Sequence, residues 1–324
     1  MKQPLKNSSD RVINTCEIEQ VKKSILITGI CGFAGRHMCN FLAGLSERPK
    51  IIGADIIETQ PDHCDAFFKA DLTSPKETER ILRQTLPDFI IHFAGTFNAG
   101  NIQEMFKANV LLTITLLEAT RECVPHAVVI ATGSAAEYGL IEPDQLPVDE
   151  QTPCRPVTYY GLSKQSATQV ARYYHRIHNI RTMVVRPFQL IGPSLTPKLA
   201  PGAFAQKLKE LRKTGLKTFQ VGNLESWRDF LDVDDAAEAI WALCQNPAPG
   251  EIYNLCSGEP TKIADLLQMM IDYSRTEVEI EIDPSRLRGR LDVTKVYGSY
   301  QKIRKHCGWQ PKRSLSQTIK TMLV

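Results

Sequence analysis

The stretch Ser24-Ile25-Leu26-Ile27-Thr28-Gly29-Ile30-Cys31-Gly32-Phe33-Ala34-Gly35 joins a short apolar run to three glycines. It predicts a strand that leads through a glycine-rich turn into a helix. A helix N-terminus presents unpaired N–H groups and the positive end of the helix dipole, so it binds phosphate, and glycines let the main chain approach a pyrophosphate. The spacing Gly29-x-x-Gly32-x-x-Gly35 is one residue wider at its first gap than the usual dinucleotide fingerprint, so a second feature is needed to assign that function.

Strands and helices alternate after this turn. Because short β-branched runs separated by helical patterns are typical of a parallel sheet with helices on both faces, we expect an α/β protein with a Rossmann-type doubly wound sheet. The apolar runs are 51–54, 89–93, 128–131 and 183–185, and the helical patterns include 102–123 and 160–178.

The alternation of strand and helix patterns is interrupted after Arg186-Pro187, and four prolines occur between residues 187 and 202. A loop-rich stretch of this kind marks a boundary. We therefore expect a polar tail over 1–22, a dinucleotide-binding domain over 23–187 to which about 229–255 returns, and a smaller C-terminal α/β substrate-binding lobe over 188–324.

The composition argues against nucleic-acid, metal and membrane partners. The 324 residues carry a net charge of +3 without a basic block, so we expect no nucleic-acid partner. The nine cysteines form no C-x-x-C pair, which predicts reduced thiols in a cytoplasmic protein and no metal site. The first 22 residues lack the apolar core of a signal peptide, and no run is long enough to span a membrane, so no membrane partner is expected.

Asp55 follows the second apolar run, about 20 residues past the glycine turn, where a carboxylate can accept hydrogen bonds from the adenosine ribose. An acidic side chain there favours NAD(H), since it would repel a ribose phosphate. Arg36 could pair with that phosphate, so NADP(H) stays open. Asp71 and Leu72 end another strand-like piece, and we expect them to border the adenine.

Tyr160 and Lys164 are four residues apart and share one face of a predicted helix. A nearby ammonium, or an oxidised nicotinamide, would stabilise a tyrosine phenolate and lower the tyrosine pKa. The pair would thus suit proton transfer in an alcohol–ketone interconversion. Ser134, at the end of the fourth clear strand, could hydrogen-bond the reacting oxygen.

Together these motifs resemble the extended short-chain dehydrogenase/reductase family that acts on nucleotide-linked sugars. The resemblance covers about residues 24–315 and implies Ser134, Tyr160 and Lys164 as the catalytic residues, with Lys164 also holding the nicotinamide ribose. It implies a nucleotide-linked sugar as substrate and a homodimer built on the two long helices of the first lobe. The cofactor residues that it implies are Gly29, Gly32, Phe33, Gly35, Asp55, Asp71, Leu72, Phe93, Ala94, Gly95, Asn109, Tyr160, Lys164 and Pro187.

Dehydratases of this family carry an acidic pair directly after the serine or threonine. Here those positions are Ala135 and Ala136, which cannot transfer a proton, so 4,6-dehydration is disfavoured. Glu137 is one residue further and is expected to point the other way. Three functions remain: reduction of a C4 ketone with Tyr160 as proton donor, 4-epimerisation with bound NAD, and a non-catalytic cofactor sensor, which the intact Tyr160–Lys164 pair disfavours.

The second half is similar to the members of this family that reduce GDP-4-keto-6-deoxy-mannose, in the stretches 221–225, 228–233, 250–258 and 283–288. Arg228 and Arg288 would clamp the diphosphate, because a guanidinium binds phosphate through two N–H groups. The family usually has Asn at Gln189, and the pattern after Arg288 also departs from it. The substrate residues that we expect are Ser134, Ala135, Gln189, Val221, Arg228 and Arg288.

Overall fold

The computed structural model describes residues 22–286 and 294–324. The predicted N-terminal tail lies outside these residues apart from Lys22, and Arg288 lies outside them as well. None of the described helices combines the length and apolar character needed to cross a membrane.

A parallel sheet forms the centre of the molecule and confirms the predicted fold class. In the described part of the chain it has seven strands in the order β10-β6-β5-β4-β1-β2-β3. The order reverses between β1 and β4, which is where a doubly wound sheet opens a ligand crevice. The strands are β1 Ser24–Thr28, β2 Lys50–Asp55, β3 Ala66–Lys69, β4 Phe89–His92, β5 Val128–Thr132, β6 Arg181–Pro187 and β10 Ile252–Leu255.

Helices cover both faces of this sheet. Because side chains alternate along a strand, Ile25 and Ile27 pack with the helices on one face, whereas Leu26 packs with those on the other. The first face is covered by α1 Phe33–Ala43, α7 Val233–Gln245 and α9 Gln301–Cys307. The second is covered by α2 Pro75–Thr85, α4 Leu112–Cys123 and α5 Tyr159–His178. The short helix α3 Ile102–Phe106 runs into α4 through a π-helical turn at Lys107–Leu111.

A smaller group of elements has its own apolar core, to which Phe204, Leu208, Phe219, Leu267 and Ile319 contribute. It contains two small sheets, one with the strand order β11-β9-β7 and one that pairs β12 with β8. Its strands are β7 Gln189–Ile191, β8 Thr218–Val221, β9 Trp227–Asp232, β11 Pro260–Lys262 and β12 Glu279–Ile282. Its helices are α6 Ala200–Thr214, α8 Ile263–Ser274 and α10 Leu315–Leu323.

The carboxyl ends of the parallel strands meet at one edge of the large sheet. Thr28, Asp55, His92, Thr132 and Pro187 end β1, β2, β4, β5 and β6. β7 begins two residues after β6, so the smaller group starts at this same edge. The fold therefore places the glycine turn, Asp55 and the residues after β5 at one edge of the sheet, where the smaller group of elements begins.

Candidate active site

The glycine turn lies against the loop that follows β4. Gly29 has φ of +70°, and a Cβ at this position would lie 2.6 Å from the Ala94 nitrogen. A Cβ on Gly35 would lie 2.6 Å from the Ile30 Cα, so this glycine lets α1 approach the turn. Gly32 precedes α1 without a side chain, and the first turn of α1 has no acidic residue. This N-terminus fits the pyrophosphate of a dinucleotide.

Asp55 holds the glycine turn in place. Its Oδ2 accepts a hydrogen bond from the Cys31 N–H at 2.9 Å, and its Oδ1 accepts one from the Ile57 N–H at 3.1 Å. A carboxylate has about four lone-pair directions, so it can still accept ribose hydroxyls. Arg36 donates from Nε to the Cys31 carbonyl at 2.8 Å, so Asp55 and Arg36 both attach to the turn.

Asp71 and Leu72 have different surroundings. The Asp71 carboxylate is exposed and accepts hydrogen bonds from the Thr73 N–H at 2.9 Å and the Thr73 hydroxyl at 2.8 Å. These bonds lower the pKa of Asp71. Leu72 is buried with the helices of the second face. The Asp71 carboxylate therefore shapes the turn before α2, and the Leu72 side chain belongs to the core.

Asn109 lies in the π-helical turn and connects the cofactor loop to α5. Its Oδ1 accepts the Thr96 N–H at 2.8 Å, and its Nδ2 donates to the Ser163 hydroxyl at 2.9 Å. The loop residues Phe93–Gly95 are held to β1, where the Phe93 N–H donates to the Thr28 carbonyl at 3.0 Å. Asn109 is buried, so it positions this loop.

The N-terminus of α5 packs against the turn after β5. The Thr158 hydroxyl caps α5 by accepting the Gly161 N–H at 3.0 Å. A Cβ on Gly161 would overlap the Ala136 carbonyl, so only a glycine allows this approach. It brings Tyr160 close enough to Ser134 for the Ser134 hydroxyl to influence the Tyr160 pKa.

The pKa of Tyr160 moves in the direction opposite to our expectation. Burial raises it, while the Ser134 hydroxyl opposes this rise. The Lys164 ammonium does not produce the expected lowering, because it is directed to the Thr132 carbonyl at 2.8 Å. Burial lowers the pKa of Lys164 itself to about 8. Near neutral pH Tyr160 is thus a protonated phenol beside a largely charged lysine.

Thr132 provides a further sign that a cofactor fits here. Among the described residues, its Oγ1 is the buried side-chain oxygen that has no hydrogen-bond partner. Buried hydroxyls are normally satisfied, and this one ends β5 in the residue whose carbonyl receives Lys164. Together with the glycine turn, it makes the crevice suitable for a nicotinamide nucleotide.

The two alanines after Ser134 lie in a 3₁₀ turn at Ala135–Glu137. Glu137 is fully buried, and its Oε2 accepts a hydrogen bond from Arg186 Nε at 2.9 Å. The carboxylate nearest to Ser134 in the sequence is therefore paired inside the protein. This arrangement provides no acid–base pair for dehydration at the positions where the dehydratases carry one.

The predicted substrate residues do not all face the crevice. Gln189 is exposed at the start of β7, which pairs with β9. Arg228 is half-buried on β9 and donates to the Trp227 carbonyl at 2.9 Å. The Val221 side chain is only 1% exposed and packs in the core of the smaller group, because alternate residues of β8 face inward. A substrate contact through that side chain does not fit this position.

Sequence reasoning missed Asp229, which follows Arg228. Asp229 is fully buried and accepts hydrogen bonds from the Ser257 N–H at 2.7 Å, the Gly258 N–H at 2.9 Å and the Gly298 N–H at 3.1 Å. It thus holds β9 to two loops that are distant in sequence. The only sequence signal for Asp229 was its place in the stretch 228–233, since its partners are distant in sequence.

Comparison with known proteins agrees with this geometry. The model of the NAD dependent epimerase/dehydratase family matches residues 25–256. The GDP-6-deoxy-D-mannose reductase of Pseudomonas aeruginosa is 28% identical over 308 residues, which cover 92% of this chain and 95% of that protein. The GDP-6-deoxy-D-talose 4-dehydrogenase of Aggregatibacter actinomycetemcomitans is 30% identical over 86% of this chain and 89% of that protein.

Solved structures give the same result. The structure of RMD from Pseudomonas aeruginosa complexed with NADPH has a TM-score of 0.81 and 27% identity, and it covers 93% of this chain and 98% of that one. The similarity extends over both the large sheet and the smaller group of elements. The family match agrees with the predicted nicotinamide cofactor and with an oxidoreductase that acts on nucleotide sugars. The chain belongs to the NAD dependent epimerase/dehydratase family.

Proposed function

We propose that this enzyme reduces the C4 ketone of a nucleotide-linked 4-keto-6-deoxyhexose of the GDP-4-keto-6-deoxy-mannose type. One observation carries the proposal. Ser134 and Tyr160 meet beside Lys164, while the next two positions are alanine and Glu137 is buried in an ion pair. Such a centre can transfer one proton to a carbonyl oxygen but has no second pair for dehydration. The similarity to a GDP-6-deoxy-D-mannose reductase supports the same choice.

Each residue then has a defined task. The Ser134 hydroxyl donates a hydrogen bond to the ketone oxygen, where negative charge develops. Tyr160 donates the proton that converts this oxygen to an alcohol. Because burial raises its pKa, Tyr160 is protonated at neutral pH, as a proton donor in reduction must be. The Lys164 ammonium stabilises the phenolate that remains.

The sheet edge would bind the cofactor, and the smaller lobe would bind the nucleotide sugar. A reduced nicotinamide supplies the hydride. The N-terminus of α1 would hold its pyrophosphate, Asp55 its adenosine ribose, and Lys164 with Thr132 the nicotinamide end. Arg36 is attached to the same turn as Asp55 and would accommodate a 2′-phosphate, so we propose that NADH and NADPH are both accepted.

Arg228 is our candidate for the diphosphate of the substrate. It is half-buried on β9, and the neighbouring strand β7 begins with Gln189. A guanidinium in this position can form two parallel hydrogen bonds to phosphate oxygens. Arg288 lies outside the described residues, and its role in the clamp remains the expectation drawn from the sequence.

Epimerisation at C4 is the second candidate, and Asp55 is the observation that favours it. A carboxylate at the adenosine ribose selects NAD over NADP, and an epimerase keeps NAD bound through its cycle. In epimerisation Tyr160 would have to start as a base, which its raised pKa opposes. The two functions differ in a measurable way, because only the reductase consumes cofactor.

The decisive assay is incubation with GDP-4-keto-6-deoxy-mannose and either NADH or NADPH. We expect the reduced cofactor to be oxidised in equal amount to the sugar, and NMR of the product to show a new C4 alcohol. Loss of sugar without cofactor oxidation would reject the reductase. Interconversion of UDP- or GDP-hexoses without added cofactor would then establish the epimerase.

We also propose a homodimer through α4 and α5. An exposed apolar stripe on α5 contains Leu162, Tyr173 and Ile177, and Leu111 is exposed in the π-helical turn that precedes α4. A groove beside it is lined by Ile114, Gln169 and Val170. Exposed apolar residues at helical spacing beside an apolar groove are typical of a helix-to-helix interface. The family resemblance implies the same two helices.

Tyr173→Glu should weaken this dimer by more than about 100-fold, because an unpaired charge in an apolar interface loses several kcal/mol of hydration. Light scattering during size-exclusion chromatography at micromolar concentration measures the change. Leu216→Glu is the matched control, since Leu216 is 62% exposed in the other lobe and should leave the dimer intact. A wild-type protein that elutes as a monomer would reject the proposal.

A further inference from the structure

Glu137 is a buried carboxylate directly behind the turn that carries Ser134. It is 0% exposed, and both of its oxygens have partners. Oε1 accepts hydrogen bonds from the Ser134 N–H at 2.8 Å and from the Thr168 hydroxyl at 3.0 Å. Oε2 accepts the hydrogen bond from Arg186 Nε at 2.9 Å. One side chain thus joins the Ser134 turn to α5 and to β6.

The Ser134 turn is built around this carboxylate. A Cβ on Gly133 would overlap Glu137 Oε1, so a side chain before Ser134 would displace this carboxylate. The Ser134 hydroxyl accepts the Ala136 N–H at 3.1 Å, while Glu137 accepts the N–H of Ser134 itself. These reciprocal bonds fix the main chain and the side chain of Ser134 at once.

Arg186 is held on its other side. Its Nη1 donates to the Tyr138 hydroxyl at 3.1 Å, and that hydroxyl donates to Asn254 Oδ1 at 2.7 Å. The guanidinium carbon also lies 4.8 Å from the centre of the Tyr138 ring. A buried ion pair adds little net stability compared with apolar residues, so stability alone does not explain two buried charges at this place.

Resting on the proposed reductase function, we propose that Glu137 is a positioning residue of the catalytic centre. Held by Arg186, it orients the Ser134 hydroxyl toward the reacting oxygen and places a buried negative charge behind Tyr160 and Lys164. The carboxylate thus acts through its neighbours and does not touch the substrate. Glu137 follows Ala135 and Ala136, the positions at which the dehydratases carry their acidic pair. The positioning role that we propose for it is therefore different from the acid–base chemistry of a dehydratase.

The negative charge of Glu137 acts to raise the pKa of both Tyr160 and Lys164. Burial lowers the pKa of Lys164 to about 8, and Glu137 opposes this lowering. Glu137 also adds to the rise in the pKa of Tyr160. His92 stays neutral, since burial lowers its pKa to about 3. The other titratable or charged groups that interact with this cluster are Arg186, Tyr138, Glu150 and Cys154.

Loss of the carboxylate should therefore lower the pKa of Lys164 and that of Tyr160. Both groups must be protonated for reduction, so the rate falls as pH rises through the lower of the two pKa values, that of Lys164. In Glu137→Gln we expect this alkaline limb of kcat to move down by about one pH unit or more. We also expect kcat at its optimum to fall by about 10- to 100-fold, because Ser134 is less well oriented. KM for the sugar should change little.

Thr168→Val is the matched control, since it removes one hydrogen bond to the same Oε1 and keeps the charge. Its alkaline limb should stay at the wild-type pH. Should Glu137→Gln not fold, Glu137→Gln with Arg186→Met removes both buried charges, a change that proteins often tolerate. In this double variant the alkaline limb of kcat should also move to lower pH, but by less than in Glu137→Gln. The reason is that the double variant also loses the repulsion between the Arg186 and Lys164 charges.

Titration of Lys164 by NMR in protein labelled with ¹⁵N-lysine gives a second readout that needs no turnover. We expect its midpoint near pH 8 in the wild type and lower in Glu137→Gln. If the wild type does not reduce the keto-sugar, the proposed function fails while this titration still tests Glu137. An unchanged Lys164 midpoint in a folded variant, or an unchanged alkaline limb, would overturn the inference.

Discussion

Tyr160→Phe should lower kcat for reduction of the keto-sugar by about 10²- to 10⁴-fold, the range expected when a general acid is removed. The phenol is the group placed beside Ser134, and its raised pKa keeps it protonated at neutral pH. Lys164 and the glycine turn are untouched by the change, so affinity for the reduced cofactor should stay near the wild-type value. Cofactor absorbance under single-turnover conditions measures the effect.

Tyr159→Phe is a close control for this experiment. Tyr159 is the neighbouring residue on α5, but it is 61% exposed and does not share the face that carries Tyr160. The same loss of one hydroxyl should leave kcat within about twofold of the wild type, since surface changes have small effects. Full turnover in Tyr160→Phe would show that another group donates the proton, and the assignment of the catalytic centre would be wrong.

Local patterns were sufficient for most of the fold and for the placement of Tyr160 and Lys164 on one helix. The alternation of apolar runs and helices predicted the parallel sheet, because strand and helix periods are local properties. The spacing of Tyr160 and Lys164 predicted a shared helix face for the same reason. The glycine turn likewise lies at the N-terminus of α1.

Contacts between distant residues were not predictable in this way. Glu137 and Arg186 are 49 residues apart, and nothing in either segment indicates that they pair. The direction of the Tyr160 pKa was predicted wrongly, because burial and the orientation of Lys164 depend on the packed structure. Val221 was expected to contact substrate, but it follows the inward-facing alternation of β8. Each of these depends on tertiary packing.

Gly29→Ala should destabilise the protein for two reasons, one conformational and one steric. The φ of +70° at Gly29 costs an L-residue about 1–2 kcal/mol. The added methyl group would also lie 2.6 Å from the Ala94 nitrogen and 2.9 Å from the Phe93 carbonyl carbon, both of which are main-chain atoms. Overpacking against atoms that cannot turn aside adds about 1–3 kcal/mol. We therefore expect a loss of about 2–5 kcal/mol in the free energy of unfolding.

Gly215→Ala separates the two causes. Gly215 has φ of +73° but has open space around an added Cβ, so it should lose only the conformational part, about 1–2 kcal/mol. Urea unfolding of both variants measures the difference. Gly29→Ala should also weaken binding of the reduced cofactor by at least about tenfold, because it displaces the turn that we propose to hold the pyrophosphate, whereas Gly215→Ala should not. Equal losses of stability with unchanged cofactor affinity in both variants would mean that the contact between the glycine turn and the Phe93–Gly95 loop does not shape the cofactor site.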